Sequence, residues 1–572
     1  MFSGIAARRC AALRRPLVTL ARVPATTRAL STATPSITPA DAEAGADSFT
    51  VSRMAFLARL QEAGIPAFPH YRRPADALAL RAVVEHVRTH QTPPASKEDD
   101  PLLGSLQASV AGRVEGIRQS GRNLVFVDLA ADGHQLQVVA NRRQFAAPDP
   151  ASPGLDPFTD LVQNLTRGDV VEFAGHTRFS QSGEPSLYAT QARLLAPCTL
   201  PLPAPGPVRS SRAAGARHLE LILDTTARER FRIRSRVIAT LRRFLEDLDF
   251  LEVETPVLSA IPGGASARPF QTTSNALGRD LSMRISPELY LKRLVIGGFE
   301  RVFEIGKQFR NEGIDHDHNP EFTTCELYQA YANCEDMMDL TENLFREIIR
   351  KINGDSLVLT VENKQGLLVE VDFAPPFQRM SIPHELEILL GAPVPDLSTD
   401  VELEFFVERV IDRLGPGALP PAPLTAARVV DHLVSEYLEP RCDQPTFLTG
   451  HPAALSPLAK AHPALAHASD RFELFVAQRE LVNAYSEQND PNAQYQSFHQ
   501  QAASRLAGDD EAHVPDHDYC QAMRYGLPPT GGWGLGVDRL VMMLTGSAHI
   551  RDIILFPATK SASASVSVPD ES

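Results

Sequence analysis

The segment FRNEGIDHDHNPEFTTCELY, residues 309–328, sets an arginine, several acids, an aromatic ring and a phenol around one polar loop. On either side, RVFEIGKQFRNE and EFTTCELYQAY have the composition of strands, and the loop between them carries Asn319-Pro320. Residues of equal parity on a strand face one side. Arg310 and Glu312 therefore share a face, and so do Phe322, Glu326 and Tyr328. The pattern admits two readings. A solvated hairpin can hold such charges as cross-strand ion pairs. An arginine that forks onto phosphate, beside a ring that stacks a base, is also the grammar of a nucleotide site.

Three other segments favour the second reading. RDLSMRISPELYLKRLVIGG (279–298) brings Arg284, and Glu288 near a helix start. DRFELFVAQRELVNAYSEQNDP (470–491) has Glu473 and Glu480 seven apart, then Asn483, Tyr485 and Glu487 at alternating positions. That seven-residue spacing does not fit one strand face and predicts a bulge or bend between the two acids. LPPTGGWGLGVDRLVMMLTG (527–546) is a glycine-rich strand running into a helix that starts around Asp538-Arg539. Glycines allow close backbone approach to a ligand, and a helix N-terminus favours an anion. A nucleoside triphosphate with Mg2+, together with a cationic small molecule, would use all four segments. The sequence has no G-x-x-x-x-G-K-[ST], no G-x-G-x-x-G after a strand and no H-E-x-x-H. Its seventeen histidines show no paired metal spacing, so His451, His462 and His467 read as loop residues rather than a zinc site.

These segments need elements to position them, and 572 residues suffice for two to four domains. With 43% hydrophobic and 22% charged residues the chain reads as globular, and no apolar run is long enough to span a membrane. Six scattered cysteines without a C-x-x-C pair argue for a reducing compartment. Residues 1–40 hold Arg8, Arg9, Arg14, Arg15, Arg22 and Arg28 and no acid, the composition of an organellar transit peptide or of a basic tail. Losing those six charges takes the net charge from −14 to about −20. An anionic partner must then be held by local basic surface, since the overall field repels it.

Residues 41–107 read as a helical extension, in which VSRMAFLARLQEAG places Met54, Leu57 and Leu60 on one face. Alternation and glycine turns across 108–200 predict a β-barrel of about five strands. A proline-rich linker covers 201–217. Beyond it, residues 227–248 form an amphipathic helix through Phe231, Val237, Ile238, Leu241, Leu245 and Leu248. That helix leads into the strand FLEVETPVL (250–258), whose Pro256 requires an edge or bulge. The stretch near 375–445 looks like an insertion in a domain spanning 218–560, and residues 561–572 like a disordered tail.

At this point the chain resembles the class II aminoacyl-tRNA synthetases, and among them the lysyl-tRNA synthetases. FLEVETPVL is similar to motif 1, FRNEGIDHDHNPEFTTCELYQAY to motif 2 and GLGVDRLVMML to motif 3. GGASARPF, ISPELYLK, SPLAKAH, NAYSEQNDP and YGLPPTGGWGLG resemble lysyl-specific stretches, and the similarity spans residues 50–557. The resemblance implies an α+β fold: an antiparallel sheet flanked by helices, preceded by an OB-fold anticodon-binding barrel. It implies a homodimer formed through motif 1, and ATP, L-lysine and tRNA(Lys) as substrates, with Mg2+ accompanying ATP.

The resemblance also implies residue roles. Arg310 and Arg539 are catalytic; Glu312, His318, Phe322, Glu473 and Glu480 complete the ATP site, the last two holding the metal. Gly264, Glu288, Glu326, Tyr328, Asn483, Tyr485 and Glu487 bind lysine, with Glu487 and Tyr485 at the ε-ammonium. Arg113, Phe126, Gln137 and Glu184 read the anticodon, and Phe126 must then be exposed enough to stack a base. The sister ligases for aspartate and asparagine need an anionic or neutral side chain, for which Glu487 has the wrong charge. Pro463 stands where the family carries a basic residue, and the lysine-rich N-terminal helix of cytosolic relatives is missing. With the presequence, this points to the mitochondrial matrix, or to dual mitochondrial and cytoplasmic residence from alternative starts.

Overall fold

The computed structural model describes residues 39–91, 105–145, 156–204, 206, 216–261, 263–265, 267–397, 399–421, 424–506 and 515–558. The transit segment up to residue 38, most of the 201–217 linker and the 561–572 tail lie outside the described residues. Two compact units emerge. One holds described residues 39–206 with 222–225; the other holds 216–221 and 226–558.

In the first unit, β1 (Gln107–Ser120), β2 (Leu124–Ala131), β3 (His134–Asn141), β4 (Val170–Phe179) and β5 (Pro185–Ala196) close into a barrel of order β1-β2-β3-β5-β4. Strict alternation drives this. Val125, Val127 and Leu129 turn inward to meet Val110, Val114, Leu136, Phe173 and Leu187, while Phe126 and Asp128 turn outward. Two helices, α1 (Pro39–Glu62) and α2 (Leu80–His90), belong to this unit.

The buried face of α1 differs from the expected one. Phe56, Leu60 and the arginine at 53 are buried, whereas Met54 is 55% exposed. Arg53 sets this rotation: its guanidinium pairs with the fully buried Asp169 at 2.6 Å and donates to the carbonyls of Asn164 (3.0 Å) and Cys198 (3.1 Å). Apolar periodicity alone does not register such an ion pair.

The second unit is built on an eight-stranded sheet. Its strands are β6 (Leu251–Glu252), β10 (Arg301–Phe309), β11 (Glu321–Ala330), β14 (Gln378–Ser381), β15 (Thr446–Thr449), β16 (Arg471–Val476), β17 (Arg479–Ser486) and β18 (Thr530–Gly536). They lie in the order β14-β15-β16-β17-β18-β11-β10-β6. Pairs β14–β15 and β10–β6 are parallel and the others antiparallel. The smaller strands β7 (Leu258–Ser259), β8 (Gln271–Ser274) and β9 (Arg279–Met283) form a separate sheet, and β12 (Val358–Glu362) and β13 (Leu368–Asp372) a ribbon.

Helices are α3 (Arg217–Leu223), α4 (Thr225–Glu246), α5 (Glu288–Ile296), α6 (Cys334–Asn353), α7 (Ile382–Leu390), α8 (Asp400–Leu414), α9 (Ala426–Leu433), α10 (Pro491–Leu506), α11 (His517–Met523) and α12 (Val537–Thr545). The main core lies on one face of the large sheet. Val237, Leu241 and Leu245 of α4, Leu344, Phe345 and Ile348 of α6, and Val541 and Met542 of α12 pack on Cys325, Leu327, Leu474, Trp533 and Leu535. The opposite face of the same strands is left for a cleft.

Two expectations about this unit change. FLEVETPVL is not one strand: β6 keeps two residues at the edge of the large sheet, β7 joins the small sheet, and Pro256 lies between them in neither. Without an N–H to continue a ladder, proline divides the segment. The 375–445 stretch is not wholly an insertion. It supplies edge strand β14 before α7, α8 and α9 gather their own core of Ile382, Leu386, Phe406, Val410, Val430 and Leu433.

Replacing Arg53 by Met leaves Asp169 buried without a counter-charge. We expect a stability loss of about 3–5 kcal/mol for the barrel unit, read by urea unfolding followed through a barrel-specific probe; an unchanged midpoint would refute the role of the pair.

Candidate active site

The sheet face opposite the core forms the floor of a cleft of about 420 Å³. Its middle strand, β18, has the sequence TGGWGLG, so its core-facing side chains are Trp533 and Leu535 and its cleft-facing positions are glycines. The neighbouring strands align their side chains over those gaps. Tyr328, Gly532 and Tyr485 form one row across β11, β18 and β17; Glu326, Gly534 and Asn483 form the next. A Cβ at Gly532 would stand 1.9 Å from Glu487 Oε1 and 2.8 Å from the Tyr328 ring. Glycine is required there because two functional side chains occupy the space its own would fill.

One end of the cleft is acidic and buried. Glu326 accepts from Ser286 Oγ at 3.1 and 3.2 Å, and Tyr485 OH donates to Glu288 Oε1 at 2.8 Å. Lys292, with no exposed surface, donates to Glu288 Oε1 and to Glu487 Oε2, both at 2.7 Å. Glu487 Oε1 is buried without a hydrogen-bond partner. Burial, with Glu288 nearby, pushes the Glu326 carboxyl up to about 8. Burial, with Glu288 and Glu326 nearby, also pushes Glu487 up to about 8, against the pull of Lys292. The Lys292 ammonium is held charged: burial opposes it, but Glu288 and Glu487 raise its pKa well above the ordinary value. Gly264, with φ of +87°, packs against Ser286 and Glu288 and closes this end.

The other end is basic. Arg310 lies over the Phe322 ring at 5.1 Å, and its Nε is buried without a partner. Arg539, on the first turn of α12, donates to Glu480 Oε2 at 2.8 Å and to His318 Nε2 at 3.2 Å; His318 Nδ1 faces the Asp315 carboxylate at 2.8 Å. Asp538 ties three elements together. Its carboxylate pairs with Arg234 of α4 and accepts from the Thr323 N–H of β11 at 2.6 Å, while Arg234 also donates to Thr323 Oγ1 at 3.0 Å.

The expected irregularity between Glu473 and Glu480 has two parts. Ala477 and Gln478 both adopt positive φ in a two-residue hairpin turn, and the register slips between Leu474 and Phe475 so that β17 carries one extra residue. The slip brings Glu480 back to the cleft. Glu473 shares a row with Asn483 but does not line the cleft: its carboxylate is 2.5 Å from Arg471 Nη2 and 3.3 Å from His451 Nε2. Burial would raise its pKa, yet His451 and Arg471 outweigh that and hold it down to about 2.

Residues 211–560 match the family described as tRNA synthetases class II (D, K and N), and residues 108–195 match the OB-fold nucleic acid binding domain. The chain is 44% identical over 460 residues to lysine–tRNA ligase cla4 of Cladosporium cladosporioides, covering 79% of this chain and 75% of that one. It is 40% identical over 527 residues to a probable cytoplasmic lysine–tRNA ligase of Encephalitozoon cuniculi, covering 91% and 98%. With the lysine–tRNA ligase of Chloroflexus aurantiacus it shares 40% over 509 residues, covering 88% and 96%.

The chain belongs to the class II lysine–tRNA ligases.

In this ligase the sequence-expected residues Arg310, Glu312, His318, Phe322, Glu480, Arg539, Gly264, Glu288, Glu326, Tyr328, Asn483 and Tyr485 all line one cleft. Three placements differ in kind from expectation. Glu312 does not share a strand face with Arg310, because β10 ends at Phe309; it sits in the loop, exposed, and accepts from the Arg268 N–H at 3.3 Å. Glu473 is drawn off the cleft wall by Arg471. Glu487 fills the space over Gly532 and is already paired with a lysine of the protein itself.

Sequence reasoning passed over Lys292, although it stands four residues after Glu288, the spacing of a helical ion pair. It also passed over Arg471 and Ser286, which line the cleft, and Arg234, which pairs with Asp538 and donates to Thr323.

On the barrel, Phe126 is only half-buried and lies under the Arg118 guanidinium at 5.8 Å, on the same outer face as Tyr188 under Arg178 at 3.4 Å. Gln137 does not stand free as a base reader would. It is buried, donates to Glu184 Oε2 at 2.9 Å and accepts from Ser186 Oγ at 3.2 Å. Arg113 is directed to the Gly168 carbonyl at 2.7 Å.

Gly532→Ala introduces a methyl where Glu487 Oε1 now sits. We expect the KM for lysine in aminoacylation to rise about a hundredfold or more with that for ATP nearly unchanged, since the displaced group is a buried charge; equal effects on both substrates would refute this geometry.

Proposed function

We propose that the ligase first joins L-lysine to ATP and then transfers it to tRNA(Lys), as part of organellar protein synthesis. One observation carries this reading. Glu288, Glu326 and Glu487 form a buried acidic end balanced by a single internal cation, Lys292, opposite an end held by Arg310 and Arg539. Once ionised, the two carboxyls that Lys292 does not balance match the two ammonium groups of free lysine, and the arginines match its carboxylate and the phosphates of ATP.

In the first step a lysine carboxylate oxygen attacks the α-phosphorus, the bond to the bridging oxygen breaks, and pyrophosphate leaves. In the second, a hydroxyl of the terminal adenosine attacks the lysyl carbonyl and AMP departs. Positioning and charge stabilisation supply the rate, without a covalent enzyme intermediate. Arg310 spans the α-phosphate and the carboxylate with its fork. Phe322 stacks adenine and Glu312 takes its amino group; His318 and Arg539 hold the distal phosphates. Glu326 and Glu288 receive the α-ammonium, and Glu487 with Tyr485 the ε-ammonium; Tyr328, Asn483 and Gly264 shape the walls.

Mg2+ suits the hard carboxylate oxygen of Glu480, which faces the cleft; Glu473 can join only when Arg471 releases it. When bound with ATP, the ion supplies neutralising charge to the phosphates.

A second copy of the chain covers the open edge at β6, where Leu251 is exposed. On the barrel, Phe126 stacks an anticodon base, a reading supported by its half-exposed ring, with Gln137 and Glu184 contributing once their mutual hydrogen bond opens. The six arginines and absence of acids in residues 1–40 support residence in the mitochondrial matrix, with dual residence as the alternative. Among the described residues no helix is long and apolar enough to cross a membrane.

Pyrophosphate exchange dependent on lysine and absent with aspartate is the primary test; exchange with aspartate alone would overturn the assignment. Glu487→Gln is expected to raise the lysine KM by roughly a few hundredfold while leaving that of ATP near its original value. The acidic end also sets a pH dependence. Glu326 and Glu487, raised to about 8, hold protons below that pH, whereas an incoming ammonium requires them ionised. Lysine binding therefore releases protons, and the lysine KM is expected to fall between pH 6.5 and 8, by up to about a hundredfold per unit where both carboxyls must ionise. A flat lysine KM over that range would count against it.

A further inference from the structure

We infer that Lys292 is a specificity-determining positioning residue: a permanent internal ammonium that fixes Glu288 and Glu487 and leaves Glu487 Oε1 as the acceptor for the substrate's side-chain ammonium. The inference rests on the lysine-binding reading above.

Lys292 is completely buried, and its Nζ bridges Glu288 on its own helix and Glu487 beyond β17, 195 residues away, at 2.7 Å each. Tyr485 OH shares the same Glu288 oxygen, and the Tyr519 ring of α11 lies 5.4 Å from Nζ. A bridging ammonium of this kind sets the distance between its two carboxylates. It also consumes one Glu487 oxygen and leaves the other, which has no partner and fills the space over Gly532. A buried carboxylate oxygen left unpartnered is costly unless a cation arrives to meet it. With Lys292 absent, Glu487 would face Glu288 and Glu326 without a counter-charge and would hold its proton to higher pH than it does beside the lysine. Lys292 thus makes the pocket accept one further ammonium at one place.

The test is K292M, which keeps the unbranched stem and removes the charge. The groups facing it are Glu288 of α5, Glu487 and Tyr485 at the end of β17, Tyr519 of α11, and Glu326 and Tyr328 of β11. The expected result is a lysine KM raised tenfold or more, an ATP KM within twofold of the original, and a fall of the lysine KM with pH that is displaced to higher pH than in the unaltered protein. A packing role alone would not produce that lysine-only, pH-dependent split; an unchanged lysine KM, or equal rises for both substrates, overturns the inference.

Should K292M fail to fold, the conservative K292R, which keeps a cation between Glu288 and Glu487, should retain a lower lysine KM than K292A. Equal values for the two overturn the inference. The lysine-bound structure of the unaltered protein is an independent measurement. Nζ of Lys292 should remain on both carboxylates with the substrate ammonium on Glu487 Oε1; a Lys292 displaced from Glu487 by substrate would show it to be an occupant of the empty pocket only. An unaltered protein inactive with lysine overturns the parent reading, whereas an active one with an indifferent K292M overturns this inference alone.

Discussion

Two absent side chains determine the character of this cleft. At Gly532 and Gly534 the central strand contributes only backbone, so its neighbours can lay Tyr328, Tyr485, Glu326 and Asn483 across it in two flat rows. The carboxylate of Glu487 then drops into the space over Gly532. A sheet alternates its faces, so the same strand can present Trp533 and Leu535 to a dense core while its other face stays open. The sharp division between an apolar face and a polar, ligand-shaped one follows from that period of two.

Burying three acids in such a floor is unfavourable unless cations offset them. The protein supplies one, Lys292, and carries the rest of the imbalance as raised carboxyl pKa values on Glu326 and Glu487. The basic end follows a different rule. Arg539 is partly buried and bonds to Glu480 and to the exposed His318. Behind them Asp538, Arg234 and Thr323 lock α4, α12 and β11 together. These contacts therefore sit on a framework whose own charges are paired.

Much of this was readable along the chain, because strand alternation and short motifs are local. The five barrel strands, the α4 stripe, the two-stranded unit around the 310–320 loop and the need for a bulge before Asn483 all come from spacing. Departures from the pattern gathered where a charge chose its partner from outside the local period. Arg53 rotated α1 so that Met54 faced out, Arg471 engages Glu473, and Glu184 engages Gln137. In FLEVETPVL the alternation was present, but Pro256 split it between two sheets.

The sequence by itself determined which chemical groups are available and which strand faces carry them, since both depend on residue type and a period of two or 3.6. Its motifs also marked the chain as a class II lysine–tRNA ligase. Only the tertiary structure decided the pairing of those groups: that Lys292 meets a carboxylate 195 residues away, and that one oxygen of Glu487 is left without a partner. Such choices turn on distances of a few ångströms between elements remote in the chain, and Coulombic and hydrogen-bond energies in a buried site change steeply over that range.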